Sequence, residues 1–362
     1  DRLEAEPGSA WPGASSPLRG KIVTQVADLG VWGAWVPTGW RLGGQLRSEV
    51  DLSGTLGQRR LNGELRGEAL SVRNPLQGVF ITDGQVLVRL RGERADIETA
   101  RARAGGGTVV VTGGTALTPG QPVTDLIVVA EQFQLLGRVD RRVVTSGRGR
   151  VQLSPKQLTV DGRFRVDEGL IDFSRRDAPS LSDDVIIDGQ AEPDEASEAG
   201  ATVGTAAPMK LAMDLQIDLG ERLRVRGRGL DAALSGMLRI TSPAGRLALN
   251  GTVQAVDGTY EAYGQRLVIS RGNLVFNGPA DNPRLDIQAT RPNLDVVVGV
   301  SIVGPAATPR VRLFSEPEMS ETEKLSWLML GRGSDGLGRT DAALLQRAAF
   351  ALLAGEEGGA RD

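Results

Sequence analysis

The 362-residue chain contains no histidine and no cysteine. That removes the Ser-His-Asp triad, the Cys nucleophile and any His or Cys metal site. Of the familiar catalytic groups, carboxylates and Lys remain. No disulfide framework can form, which is compatible with an oxidising compartment without proving one. Aromatic residues are scarce at 4%, with two Tyr and seven Phe. β-Sandwich cores usually lean on aromatics, so apolar faces here have to be built of Leu, Val and Ile. The net charge is −3, and no basic excess points to nucleic acid as a partner. The opening Asp1-Arg2-Leu3-Glu4 lacks the basic and apolar regions of a signal peptide. No segment approaches the ~20 apolar residues of a membrane helix, and the stretch 348–354 is too short. The chain begins and ends abruptly, and it reads as a fragment.

What the sequence does have is alternation. Leu211, Met213, Leu215, Ile217 and Leu219 alternate with Ala212, Asp214, Gln216 and Asp218. Leu247, Leu249, Gly251 and Val253 alternate with Ala248, Asn250 and Thr252, and Leu294, Val296, Val298, Val300 and Ile302 share one phase. Successive strand side chains point to opposite faces, so each such segment has one apolar and one wet face. The pattern is too uniform for several unrelated domains and predicts one extended β body. Hydrophobic residues at 40% are enough for folding.

Along the chain, residues 1–20, with Pro7, Pro12 and Pro17, read as a flexible lead-in. Residues 21–176 form a first β block, in which Asn62-Gly63, Asp83-Gly84 and Asp161-Gly162 mark turns. Leu158-x-Val160-Asp161-Gly162-x-Phe164 resembles Leu247-x-Leu249-Asn250-Gly251-x-Val253, and in both a further Gly follows, Gly169 and Gly258. A repeated strand unit that cannot bury its apolar face alone stacks on its neighbours. Residues 177–208 carry eight carboxylates and no Lys or Arg, and read as an acidic disordered loop. Residues 209–314 form a second β block, and residues 315–362 are helical. Ser320 with Glu323 makes a capping box and Gly331 a C-terminal stop, which predicts a helix over 321–330; Thr340 and Gly355 bound a second over 341–354.

The run Glu316-Pro317-Glu318-Met319-Ser320-Glu321-Thr322-Glu323-Lys324-Leu325-Ser326-Trp327-Leu328-Met329-Leu330-Gly331-Arg332 resembles the signature near the end of the TamB family, the inner-membrane-anchored subunit of the translocation and assembly module. The residues that carry it are Pro317, Met319, Glu323, Leu325, Ser326, Leu328, Gly331 and Arg332. Upstream, Gly258-Thr259-Tyr260, Gly272-x-Leu274-x-Phe276 and Asn282-Pro283-x-Leu285 are similar to that family in the same order. The resemblance is specific over 209–354 and looser over 60–175. It implies a mainly β fold, a β-taco: an elongated curved sheet folded lengthwise around an aliphatic trough. It also implies a periplasmic location with an N-terminal inner-membrane anchor that this chain does not include. The relatedness extends to AsmA-like bridge proteins that move phospholipid between membranes. The implied partners are phospholipid or a nascent β-barrel client, and a TamA-like or BamA-like outer-membrane barrel; no cofactor is implied.

On this reading the trough is lined by Leu211, Met213, Leu215, Ile217, Leu247, Leu249, Val253, Leu285, Ile287, Leu294, Val296, Val298 and Val300. The same residues suit a closed core between two sheets, since lipid or protein burial rewards them alike at roughly 25 cal/mol per Å². Arg222, Arg224, Arg226 and Arg228 share one strand face; they suit phosphate headgroups, or a solvated face that keeps a sticky strand soluble. Asp161 and Asp257 sit at turn positions, where Asp caps the backbone. The Gly-rich pieces 104–107 and 331–333 read as turns rather than phosphate loops. Three functions therefore compete: a TamB-type envelope factor without covalent chemistry, a closed-core β-solenoid or adhesin-like stalk, and a paired-carboxylate enzyme. Irregular repeats and a helical ending weigh against the stalk. Asp214, Asp218, Asp286 and Asp295, all in the polar phase, weigh against the enzyme.

Overall fold

The computed structural model describes residue 13 and residues 15–118, 121–174, 210–227, 229–262 and 264–333. Alternating side chains dictate strands, and seventeen form a single curved sheet. In chain order these are β1 (Gly20–Val26), β2 (Arg41–Gly54), β3 (Arg59–Asn74), β4 (Val79–Gly92), β5 (Arg94–Ala104) and β6 (Gly107–Ala116). Next come β7 (Val123–Gly137), β8 (Arg141–Leu153), β9 (Gln157–Asp172), β10 (Lys210–Asp218), β11 (Leu223–Gly227) and β12 (Leu230–Thr241). The last are β13 (Ala248–Ala262), β14 (Gln265–Gly278), β15 (Arg284–Thr290), β16 (Val297–Pro305) and β17 (Arg310–Glu316). One helix follows, α1 (Glu321–Leu330).

Spatial order follows chain order. From β1 to β9 each strand is antiparallel to the next. Both β10 and β11 run parallel to β9 and antiparallel to β12, so they share one lane, end to end. The antiparallel meander then resumes from β12 to β17. The two expected β blocks are thus joined into one sheet through the β9–β10 pairing. A parallel pair needs a return crossover. The link from Asp172 to Lys210 supplies it, and the expected acidic loop 177–208 lies on that link, outside the described residues. The expected helix over 341–354 also lies outside them.

Several local expectations give way to the register. Ser16 to Leu18, expected in a flexible lead-in, are tied to the sheet: the Leu18 amide donates to Gly54 and the Leu56 amide to Ser16. Asn62-Gly63 and Asp161-Gly162 lie inside β3 and β9, not at turns. Asp83-Gly84 lies inside β4, where Asp83 has φ 53 beside a bulge. The reason is close approach. At Gly63, with φ +151, an added Cβ would stand 2.0 Å from the Glu49 carbonyl oxygen; at Gly251, with φ +135, it would stand 2.1 Å from that of Met237. Only glycine fits both the conformation and the space. Leu294 to Ile302 is not one strand either: the chain bends at Asp295 and Val296, and β16 begins at Val297.

Register shifts recur at one level across the sheet: Gly43/Gln45, Gly67/Leu70, Thr82/Gln85, Ala130/Phe133, Val144/Thr145, Ala233/Leu234 and Ile269/Arg271. The break between β10 and β11, at 219–222, falls on the same line. Bulges bend a strand and raise its twist, so an aligned row of them creases the sheet along its length. At one end of the strands the crease draws turns together: the Gly137 amide of the β7–β8 turn donates to Gly78 of the β3–β4 turn at 2.7 Å. Packing is distributed along the crease in three clusters, centred on Val166, Leu219, Leu223 and Val253, on Leu267, Ala289, Val298 and Leu328, and on Ala104, Ala130 and Phe133.

Candidate functional site

The register places one apolar row across the first ten strands. It runs Ile22, Val50, Gly63, Leu90, Ala95, Thr115, Thr124, Leu153, Leu158, Leu211, each directly opposite the next. The two threonines in it bond to each other through their hydroxyls at 3.1 Å, which withdraws their polarity from the face. The row continues on the same face as Leu215–Ile240–Leu249 and then as Ile287–Ile302–Val311. This inner face is mainly aliphatic across the sheet, with Thr24, Ser48, Thr115 and Thr124 as polar exceptions in the first block. Phe164 lies over glycine backbone, close to the positions that side chains at Gly147, Gly149 and Gly162 would take. Small residues there make room for the ring, as aromatic–glycine pairs do in twisted sheets.

Exposure divides the trough residues into groups. Leu211, Met213, Leu215, Ile217, Leu249, Leu285 and Ile287 are inner-face strand residues and half-buried. Val253 belongs to the central cluster at 5% exposure. Val298 is fully buried, and Val300 and Leu294 pack against the same cluster. Leu247 precedes β13 and is 64% exposed, and Val296 precedes β16 and is half-buried. The thirteen therefore do not form one uniform surface: over β10 to β13 most are half-buried and Val253 is enclosed in the central cluster, whereas α1 covers Leu267, Ala289 and Val298 of β14 to β16.

That roof is built from the sequence signature. Ser320 accepts from the Glu323 amide, and Gly331 ends the helix in the left-handed conformation. Leu325 and Leu328 are buried, and Leu328 with Trp327 packs onto Leu267, Ala289 and Val298. Ser326, with no exposed surface, donates to the Arg332 carbonyl at 2.9 Å. The Met319 amide donates to the Ser315 hydroxyl of β17 at 3.1 Å. Pro317 is exposed, just beyond β17.

The outer face is charged, and its charges pair across strands. Arg239 meets Asp214 with two bonds at 2.7 and 2.6 Å, and Arg150 meets Asp125 in the same bidentate way. Each arginine holds its aspartate below the ordinary carboxylate value through that side-chain hydrogen bond. The expected arginine row is similar: Arg224 and Arg226 both contact Asp231, and the Arg224 bond above all holds the Asp231 carboxyl down. Arg222 is exposed just before β11, and Arg228 lies outside the described residues. Exposed pairs of this kind contribute little each; together they make one face wet and the other greasy. Among the described residues no cluster of three or more acidic side chains is placed to hold a metal ion.

The trough set expected from the sequence left out the inner face of the first block, including Val50, Val88, Val151 and Val160, and also Leu238 and Ile240 of β12, although Leu158 and Val160 read as strand. Its signal was present as Leu46, Ser48, Val50 and Leu52, but mid-strand glycines interrupt the alternation and disguise it.

A sheet that is mainly aliphatic on one face, charged on the other and creased along its length defines a trough-forming β protein. The family comparison is specific: residues 98–360 match the family model described as TamB C-terminal domain, and the chain belongs to that family. It is also 25% identical over 335 residues to the translocation and assembly module subunit TamB of Haemophilus influenzae. That alignment covers 89% of this chain and 25% of the relative, so the chain spans about a quarter of the relative's length.

Proposed function

We propose that this chain forms the distal part of a TamB-type envelope factor and guides phospholipid acyl chains along its inner face. On this reading it works in the periplasm, in a protein anchored to the inner membrane, with a TamA-like or BamA-like barrel receiving its distal end. No bond is made or broken. The observation that carries the reading is the mainly aliphatic inner face that runs across the sheet, half-buried at most of its positions over β10 to β13. Aliphatic contacts are non-directional, so a chain can slide along them without surrendering one specific partner for another. Arg222 remains as a headgroup contact at the rim, whereas Arg224 and Arg226 are already engaged by Asp231. A second reading has one observation in its favour. β17 pairs with β16 alone among the described strands, so its other edge offers main-chain groups to a nascent barrel strand.

Site-specific photo-crosslinking in cells tests this. Probes go at Leu215 and Leu249 on the inner face and at Asn250 on the outer face. Phospholipid adducts confined to the inner probes are expected. Adducts to barrel proteins alone favour the second reading. Crosslinks solely within the chain would mean a closed core and would end the trough reading.

A further inference from the structure

We propose that the apolar floor under α1 is a phospholipid subsite, that α1 occupies it in the unloaded chain, and that Arg291 passes from the helix carbonyls to the lipid phosphate when α1 lifts. This inference rests on the trough reading above. Its starting point is how polar groups are satisfied at the α1 interface. Lys324 is 5% exposed, yet its ammonium pairs with Glu318 and Glu321, both in its own segment. Ser326 is likewise satisfied by Arg332 within that segment. A buried polar group left without its partner would oppose separation. Here those partners travel with the helix, so α1 can leave without stranding them.

The floor has a matching property. Leu267, Ala289, Val298, Val300 and Leu313 line it, and all are aliphatic. They lie on the face that continues into Ile287, Ile302 and Val311. Polar ties from the sheet to the helix come from the rim. Arg291 donates to the Trp327 and Leu328 carbonyls at 3.1 and 2.7 Å, and Gln265 donates to the Met329 carbonyl at 3.1 Å. A guanidinium on the negative end of a helix is in a favourable place. It is also the side chain best shaped for a phosphodiester. With α1 lifted, the site offers an acyl-chain floor and a phosphate ligand at its edge, which is the chemistry of a phospholipid.

The test uses the full chain, with phosphatidylethanolamine–phosphatidylglycerol vesicles as probe. Photo-crosslinkers go at Leu249, on the inner face away from α1, and at Leu313, under the helix. Leu328→Ala loosens α1 and leaves Arg291 in place; amide exchange checks that α1 opens while β14 to β16 stay protected. Lipid adducts at Leu313 should rise more than about tenfold over the parent chain, since truncating a buried Leu shifts a closed–open balance by at least that much. Adding Arg291→Ala should return the Leu313 adducts to the parent level while leaving Leu249 unchanged. If Leu328→Ala disturbs β14 to β16, Gln265→Ala takes its place, since it removes only the tie to Met329. Lipid at Leu249 with none at Leu313 in an opened helix overturns the subsite and leaves the trough intact. Adducts at Leu313 that ignore Arg291→Ala overturn the hand-over. Lipid at neither probe overturns both readings.

Discussion

Gly251→Ala isolates the close strand approach that requires glycine inside this sheet. Gly251 sits inside β13 at φ +135, and an added Cβ would stand 2.1 Å from the Met237 carbonyl oxygen of β12 and 3.1 Å from the Leu238 Cα. Two costs follow. An L side chain at that φ carries about 1–3 kcal/mol of backbone strain. Relieving the contact requires β12 and β13 to part by about 1 Å, which weakens ladder bonds worth about 1 kcal/mol each. The expected loss is about 3–4 kcal/mol. Gly245→Ala is the control: Gly245 also has positive φ, at +78, but nothing lies within 4 Å of the added carbon. It should lose only the left-handed penalty of about 1–2 kcal/mol. Urea unfolding followed by far-UV circular dichroism, with the slope held common, measures both. Equal losses for the two variants would mean that the strands relax freely and that close approach is not what requires glycine. Gly63→Ala, with its Cβ 2.0 Å from Glu49, should behave as Gly251→Ala does.

Ser320→Ala removes the acceptor for the Glu323 amide and should cost about 1 kcal/mol, read as faster amide exchange in α1 with β14 to β16 unchanged. Phe164→Ala uncovers the glycine backbone of β8 and β9; the ring is only half-buried, so about 2 kcal/mol is expected from urea unfolding. Asp125, Asp214 and Asp231 all titrate below their ordinary value because arginine bonds favour the charged form. Their stabilisation is therefore present above the ordinary aspartate pKa and is lost as pH falls through the depressed folded values, where the unfolded chain binds more protons. Asp214→Asn should flatten part of that acid-side decline; an unchanged acid titration would show that the Arg239 pair does not persist in solution.

Much of the fold was legible because it is periodic. The alternation of Leu211 to Ile217 predicts β10, and Ser320, Glu323 and Gly331 predict α1 with the bounds it has. What escaped was decided by neighbours. An Asx-Gly pair signals permissive backbone, but the register decides whether that freedom serves a hairpin or, as at Gly63, the close passage of the next strand. The parallel joint of β9 and β10 left no local trace, because β10 alternates in the same way beside either orientation of partner. Arg224 and Arg226 read as an open basic row because Asp231 meets them only once the β11–β12 hairpin is folded.

The most specific residues in the sequence do not line the trough, and the physics explains why. A sliding surface asks only for aliphatic side chains in the right phase, a demand that Leu, Ile and Val meet interchangeably. Docking one helix at one place asks for particular atoms. Ser326 tolerates no larger group at zero exposure, Gly331 supplies a left-handed stop, and Arg291 reaches carbonyls that exist only at the last turn. The signature run of 316–332 and the proposed transport surface are thus largely distinct, meeting where Leu328 packs on Val298. A variant in the signature should change where the face is covered, whereas a polar residue in the aliphatic row should change whether a lipid chain can lie on it at all.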